Sequence, residues 1–199
     1  MKIKTSLKVS SPKEHSQLMA RIACKMAKEK KYKKILDMGT GTGYIALALY
    51  EKGFKVEACD ISPHSVELAR ENVKGKEIPI FQSDLFTGVK KKYDLILFNP
   101  PASGAAGENP LSNFIRKTRL RKPLAALFYI LKSRKRFQFI LNFLRQAKNF
   151  INSKGRVLIY MNPGELRKIE PKLKQDYNFV RINHEKTANN LIIVATELK

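Results

Sequence analysis

Near the middle of the chain, Asn99-Pro100-Pro101 follows the apolar run Tyr93-Asp94-Leu95-Ile96-Leu97-Phe98. A proline has no N–H, so Pro100 presents only a carbonyl acceptor, beside the side-chain amide of Asn99. Two acceptors this close suit an –NH2 group. They would hold its two hydrogens and aim the nitrogen lone pair in one direction. Orientation of that kind can supply several kcal/mol of a barrier, with an upper range of about 7–11. Taken alone, the same tripeptide reads equally well as a rigid loop end, because Asn-Pro commonly starts turns.

A second set of residues suits a nucleotide-like ligand. Asp37-Met38-Gly39-Thr40-Gly41-Thr42-Gly43 follows a short apolar run and precedes Tyr44-Ile45-Ala46-Leu47-Ala48-Leu49. Glycines allow a turn with positive φ and a close backbone approach to a ligand. A helix opening just after the turn aims free N–H groups at whatever sits there. The spacing departs from the dinucleotide fingerprint, whose third glycine comes three residues after the second, whereas Gly43 comes two after Gly41. That speaks against a nicotinamide oxidoreductase. The next apolar run, Phe54 to Cys59, ends in Asp60. An acid about 20 residues past the first glycine is where such folds place a carboxylate on ribose hydroxyls.

The elements that must position these residues alternate along the chain. Strands are expected at 34–38, 54–59, 78–82, 93–98 and 156–161. Helices are expected at 43–52, from Ser62-Pro63 onward, at 136–150 and at 164–174. Ser11-Pro12 with Glu14 reads as the capped start of an earlier helix, and Ser62 as another N-cap. The runs 179–182 and 191–195 can pair as a C-terminal antiparallel hairpin. Strands alternating with helices indicate an α/β fold with a seven-stranded, mostly parallel sheet. One domain over 1–199 is expected. Within it, 1–32 forms an N-terminal lead and helix, and 102–135 a basic excursion on the substrate side.

Composition narrows the class further. The net charge is +22, and the stretch between Glu108 and Glu165 has thirteen Lys or Arg and no acid. Arg116, Lys117, Arg119, Arg121 and Lys122 are interleaved with Phe114, Phe128 and Tyr129. That mixture suits phosphate contact with base stacking, and RNA or the ribosome is the expected partner. Peripheral membrane contact is the weaker reading. No apolar run approaches the length of a membrane span, and the N-terminus has no apolar core of a secretory signal. Cys24 and Cys59 read as core thiols, so a cytoplasmic, reducing location is expected. His15, His64 and His184 are scattered and suggest no metal site.

Asp37 to Gly43, Asp60, Ser83-Asp84-Leu85 and Asn99-Pro100-Pro101 come in the order seen in class I S-adenosylmethionine-dependent methyltransferases. The chain resembles the HemK-like branch, which modifies glutamine nitrogen in release factors. Similar motifs occur in adenine-N6 and guanine-N2 enzymes. The resemblance implies a Rossmann-like methyltransferase fold with S-adenosylmethionine as cofactor and no metal. It also implies roles. Asp37, Gly39, Thr40, Gly41 and Gly43 would surround the methionine part and ribose. Asp60 would bind the ribose hydroxyls, and Ile61 would pack on adenine. Asp84 would meet the adenine amino group with Leu85 alongside. Asn99 and Pro100 would hold the target nitrogen, with Asn99 also near the cofactor. Pro101 and the basic residues 116, 117, 119, 121 and 122 would border the substrate. One position departs: the family's aromatic residue after the two prolines is Ala102 here.

The expected activity is methyl transfer to an amino or amide nitrogen of a macromolecule in the translation apparatus. An RNA base is preferred because of the clustered charge. Glutamine N5 in a release factor is the alternative, and a non-catalytic RNA-binding protein with a retained cofactor fold is a further one.

Overall fold

The computed structural model describes residues 3–6, 9, 14–100, 121–182 and 192–199, and for 121–133 the backbone only. The strands are β1 (Ile35–Met38), β2 (Val56–Asp60), β3 (Ile80–Gln82), β4 (Tyr93–Phe98), β5 (Ile151–Met161), β6 (Tyr177–Arg181) and β7 (Ile192–Leu198). The helices are α1 (Glu14–Lys30), α2 (Tyr44–Tyr50), α3 (Pro63–Asn72), α4 (Arg121–Ala147) and α5 (Pro163–Leu173).

The seven strands form one sheet in the order β3-β2-β1-β4-β5-β7-β6. The strands β1 to β5 are parallel, and β7 runs antiparallel between β5 and β6. Alternate residues of the central strands feed two cores, as the period of a strand requires. Ile35, Leu95, Leu97, Leu158 and Tyr160 pack with α1, α2 and α3. Leu36, Met38, Ile96, Phe98, Val157 and Ile159 pack with α4 and α5. Burial on both faces explains why these strands read as almost continuous apolar runs.

Local signals act as their chemistry suggests. Ser62 Oγ accepts from the N–H of Ser65 at the start of α3, with Pro63 in the first helical position. Asn162 and Glu165 form a capping box at the start of α5. The Ser11-Pro12 cap lies outside the described residues, and α1 begins within them at Glu14.

Two boundaries differ from expectation by five residues or more. Strand β5 begins at Ile151 rather than 156, because Tyr93 pairs with Ile151 across a register shift that takes up the polar residues before Arg156. Helix α4 begins at Arg121 rather than 136. Pro123 sits in its first turn, where a missing N–H costs nothing. No helix among the described residues is long and apolar enough to cross a membrane.

Candidate active site

The ends of β1, β2, β3 and β4 lie on one edge of the sheet. Met38 is level with Phe98 on one side and Cys59 on the other, and Asp60 is level with Gln82. The fold therefore brings the glycine turn after β1, Asp60 and Ile61 at β2, Asp84 after β3 and Asn99 after β4 to the carboxyl edge. That edge is where open α/β sheets bind ligands.

The turn after β1 is fastened to β2. The N–H groups of Gly39 and Thr40 both donate to the Cys59 carbonyl, at 2.8 and 3.0 Å. Gly43 is the residue before α2 and has φ 79°, and a Cβ there would meet Ala69 of α3 at 3.3 Å. Glycine is needed at this point for both conformation and close helix packing.

Asp37 lies at 1% exposure beneath the turn. Its Oδ2 accepts from Thr40 Oγ1 at 2.6 Å and from the Ala46 N–H at 3.2 Å. Burial pushes its carboxyl up to about 7, against the pull of those two hydrogen bonds. Asp37 thus ties the turn to the first turn of α2 from inside.

Asp60 is half-buried and spans two loops. Its Oδ2 accepts from the Gly41 N–H and its Oδ1 from the Ser62 N–H, each at 2.9 Å. Each oxygen keeps further acceptor capacity for a hydroxyl. Ile61, next to it, is 59% exposed, an unusual state for so apolar a side chain. Asp84 is exposed, and Leu85 after it has φ 47°. That backbone is uncommon for a bulky residue. Ser83 holds it: its Oγ donates to the Leu85 carbonyl at 2.7 Å and accepts from the Gly88 N–H at 2.9 Å.

At the end of β4, Asn99 is half-buried and Pro100 buried. The Pro100 carbonyl accepts from Arg136 Nη1 at 3.3 Å. Arg136, on α4, also donates from Nε to Glu165 Oε1 at 2.8 Å and from Nη2 to the Tyr160 carbonyl at 3.4 Å. Both members of this ion pair are 7% exposed at their side chains. One buried guanidinium thus connects the Asn-Pro loop, β5 and the capping box of α5. Neither Arg136 nor Glu165 was singled out by sequence reasoning. Glu165 is the first acid after Glu108, and that isolation was the signal available.

Pro101, Ala102, Phe114, Arg116, Lys117 and Arg119 lie outside the described residues, and so do the side chains of Arg121, Lys122, Phe128 and Tyr129.

The residues on the carboxyl edge fit a nucleoside. An acid held by two loop N–H groups faces a site with an exposed apolar side chain beside it and a second acid one strand away. A mostly parallel sheet carrying a glycine turn, a following acid and an Asn-Pro loop at three strand ends defines the Rossmann-like methyltransferase class of domain. S-adenosylmethionine is the methyl donor of that class.

The chain belongs to the family described as Methyltransferase small domain, whose model matches residues 13–121. A Methanocaldococcus jannaschii protein named "Putative protein N5-glutamine methyltransferase" is 37% identical over 118 residues, 58% of this chain and 58% of that relative. A Streptococcus pneumoniae protein named release factor glutamine methyltransferase is 49% identical over 71 residues, 34% of this chain and 25% of that relative. This chain therefore spans less than two thirds of the length of either. Among solved structures, the ribosomal protein L11 methylase of Lactobacillus delbrueckii subsp. bulgaricus superposes with a TM-score of 0.69 at 22% identity. That match covers 99% of this chain and 85% of the other. The T. thermophilus 16S rRNA N2 G1207 methyltransferase, solved with AdoMet and guanosine, superposes with a TM-score of 0.66 at 16% identity, over 96% of this chain and 44% of the other. Likeness at those identities concerns the fold.

Proposed function

We propose that this protein transfers a methyl group from S-adenosylmethionine to the side-chain amide nitrogen of a glutamine in a protein of the translation apparatus. The observation that carries this reading is the acceptor pair Asn99 and Pro100 at the end of β4, one strand from the glycine turn. The names of the relatives favour a glutamine amide over the RNA base preferred from charge alone.

In this reading Asp60 takes the ribose hydroxyls, Ile61 packs on the adenine and Asp84 meets its amino group. The cofactor supplies an electrophilic methyl on a sulfonium. Asn99 Oδ1 and the Pro100 carbonyl accept the two amide hydrogens and turn the nitrogen toward that methyl. When held there by Asp60, Ile61 and Asp84, the cofactor would supply a methyl whose transfer would make the N–C bond at the expense of the S–C bond, with one amide proton released to solvent. Arg136 uses one acceptor direction of the Pro100 carbonyl and leaves the other for the substrate. The protein's contribution is chiefly positioning.

The test is labelled methyl transfer to a cell extract that is then split by nuclease and protease. Label in a protease-sensitive band, released by acid hydrolysis as methylamine and by exhaustive enzymatic digestion as N5-methylglutamine, is the expected result. Label lost to nuclease would move the target to a nucleic-acid base. Asn99→Ala should lower turnover at least ~100-fold while cofactor affinity changes little, because the lost hydrogen bond orients the acceptor. Unchanged turnover in that variant would remove Asn99 from the chemistry.

A further inference from the structure

The opposite edge of the sheet, where the parallel strands begin, carries a row of exposed lysines. Lys76 precedes β3, Lys55 precedes β2, Lys33 and Lys34 precede β1, Lys92 precedes β4, and Lys154 lies at the start of β5. In sheet order these strands are β3-β2-β1-β4-β5, so the row crosses five neighbouring strands. At about 4.8 Å per strand it is roughly 20 Å long.

The nearby acids are largely engaged elsewhere. Glu57 pairs with Lys91 and Glu197 with Arg156. Asp94 accepts the main-chain N–H groups of Lys33 and Lys34, at 2.8 and 2.9 Å, and the Asn152 amide at 2.6 Å. Their ammonium groups are not part of those bonds. The exposed acids in the same connections are Glu51, Glu77 and Asp84, and Asp84 follows the far end of β3, at the carboxyl edge. Among the described residues, none of the six lysines of the row has an ion-pair partner within 4 Å. Lys28 and Lys30, in the last turn of α1, answer that helix's dipole. The six of the row lie outside helices, where that explanation does not apply. At the β5 end, a cleft of about 360 Å³ opens between Lys30, Tyr32, Ser153 and Lys154.

We infer that this edge docks the phosphate backbone of an RNA, away from the site of methyl transfer. A row of lysines, each a compact charge on a flexible stem, suits phosphates. The large apolar side chains exposed among the described residues are Ile61, Phe139 and Val180, and none lies in these connections. The edge therefore lacks the apolar anchors that membrane insertion needs. It is also unlike the core of a protein–protein interface, which is rich in aromatics and poor in lysine. Lys92 and Asn99 flank the two ends of β4, a separation of roughly 20 Å. An RNA on the lysine row is thus a platform and not the methyl acceptor. This inference stands apart from the proposed glutamine chemistry.

The test uses the full chain and a fluorescently labelled 20-nucleotide RNA hairpin, followed by anisotropy over a salt series. Affinity should fall linearly on logarithmic axes. The variant Lys33→Gln/Lys34→Gln/Lys55→Gln/Lys92→Gln should bind at least tenfold more weakly and show a slope smaller by about 3. Its unfolding midpoint and its methyl transfer to protein should match wild type, since the main-chain bonds to Asp94 remain. Lys154→Glu attacks the row from its other end and should weaken binding without a change in stability. Wild-type RNA affinity in both variants overturns the inference, as does loss of binding only in Arg116→Gln/Lys117→Gln/Arg119→Gln. Polyglutamate or anionic vesicles competing as well as unlabelled RNA would also overturn it, in favour of an acidic protein or a membrane. Failure of methyl transfer to protein would sink the glutamine reading and leave the RNA result untouched.

Discussion

Asp37 accepts one hydrogen bond from Thr40 in its own turn and one from Ala46 in the first turn of α2, and burial still pushes its carboxyl up to about 7. The unfolded chain ionises this group near 3.8. Between those values the native state keeps a proton that the unfolded chain has lost. The contribution of Asp37 is therefore full below about pH 4 and declines as pH rises to about 7, by on the order of 4 kcal/mol. Asp37→Asn carries no charge at any pH. Urea unfolding at pH 4.5 and pH 7.5 should show wild type losing stability relative to Asp37→Asn across that interval. Parallel behaviour of the two proteins would mean that the carboxylate is tolerated where it lies. This role was only half legible in the sequence. The acid ahead of a glycine turn was visible, but that it turns inward, onto Thr40 and Ala46, depends on the strand around it being buried on both faces.

At the scale of elements, two contacts organise the site. Gly43 lets α2 leave the turn and lie against α3. Gly43→Ala would force φ 79° on a residue with a Cβ at 3.3 Å from Ala69. A loss of about 1–3 kcal/mol is expected in denaturant unfolding, from left-handed backbone cost and overpacking. The second contact is the Arg136–Glu165 pair. Arg136→Met leaves the Glu165 charge buried alone, and a loss of about 3–5 kcal/mol follows. Arg136→Met/Glu165→Leu should recover most of that stability but not methyl transfer, because the Pro100 carbonyl loses its donor. Recovery of both would limit the pair to a packing role. The elements themselves were largely readable from apolar periodicity, down to the Ser62 cap and the C-terminal hairpin. The early start of β5 was not. Lys154-Gly155 reads as a turn, and only the pairing of Tyr93 with Ile151 carries the strand back across it. Arg136 and Glu165 lie on different elements, and no periodicity links an arginine to a glutamate across that separation.

For the whole molecule, cofactor binding should register as stability. With S-adenosylmethionine at 100 times its Kd, about 2.7 kcal/mol is added. For a domain of this size that amounts to a rise in Tm of roughly 5–10 °C. Asp60→Ala should abolish most of the rise, since it removes the proposed ribose contact and the bond to the Gly41 N–H. An undiminished shift would move the ribose site elsewhere. The charge of the molecule also changes meaning once the fold is known. Read along the chain, its surplus gathers between Glu108 and Glu165; read on the described structure, an additional band lies at the far edge of the sheet. These lysines come from four connections and the start of β5, far apart along the chain, so only the topology brings them into one row.

The bond from Arg136 to the Pro100 carbonyl means that the chain departs from the sheet at 100 and is back within one side chain's reach at 136. The chain between those points joins two places that the frame itself holds together. A graft that replaces 102–133 with a short Gly-Ser bridge should fold, since closing a loop between neighbouring points costs little. It should keep cofactor binding while changing which acceptor is methylated. Lineages could in that way exchange what they modify and leave the frame, with its buried clamp, intact.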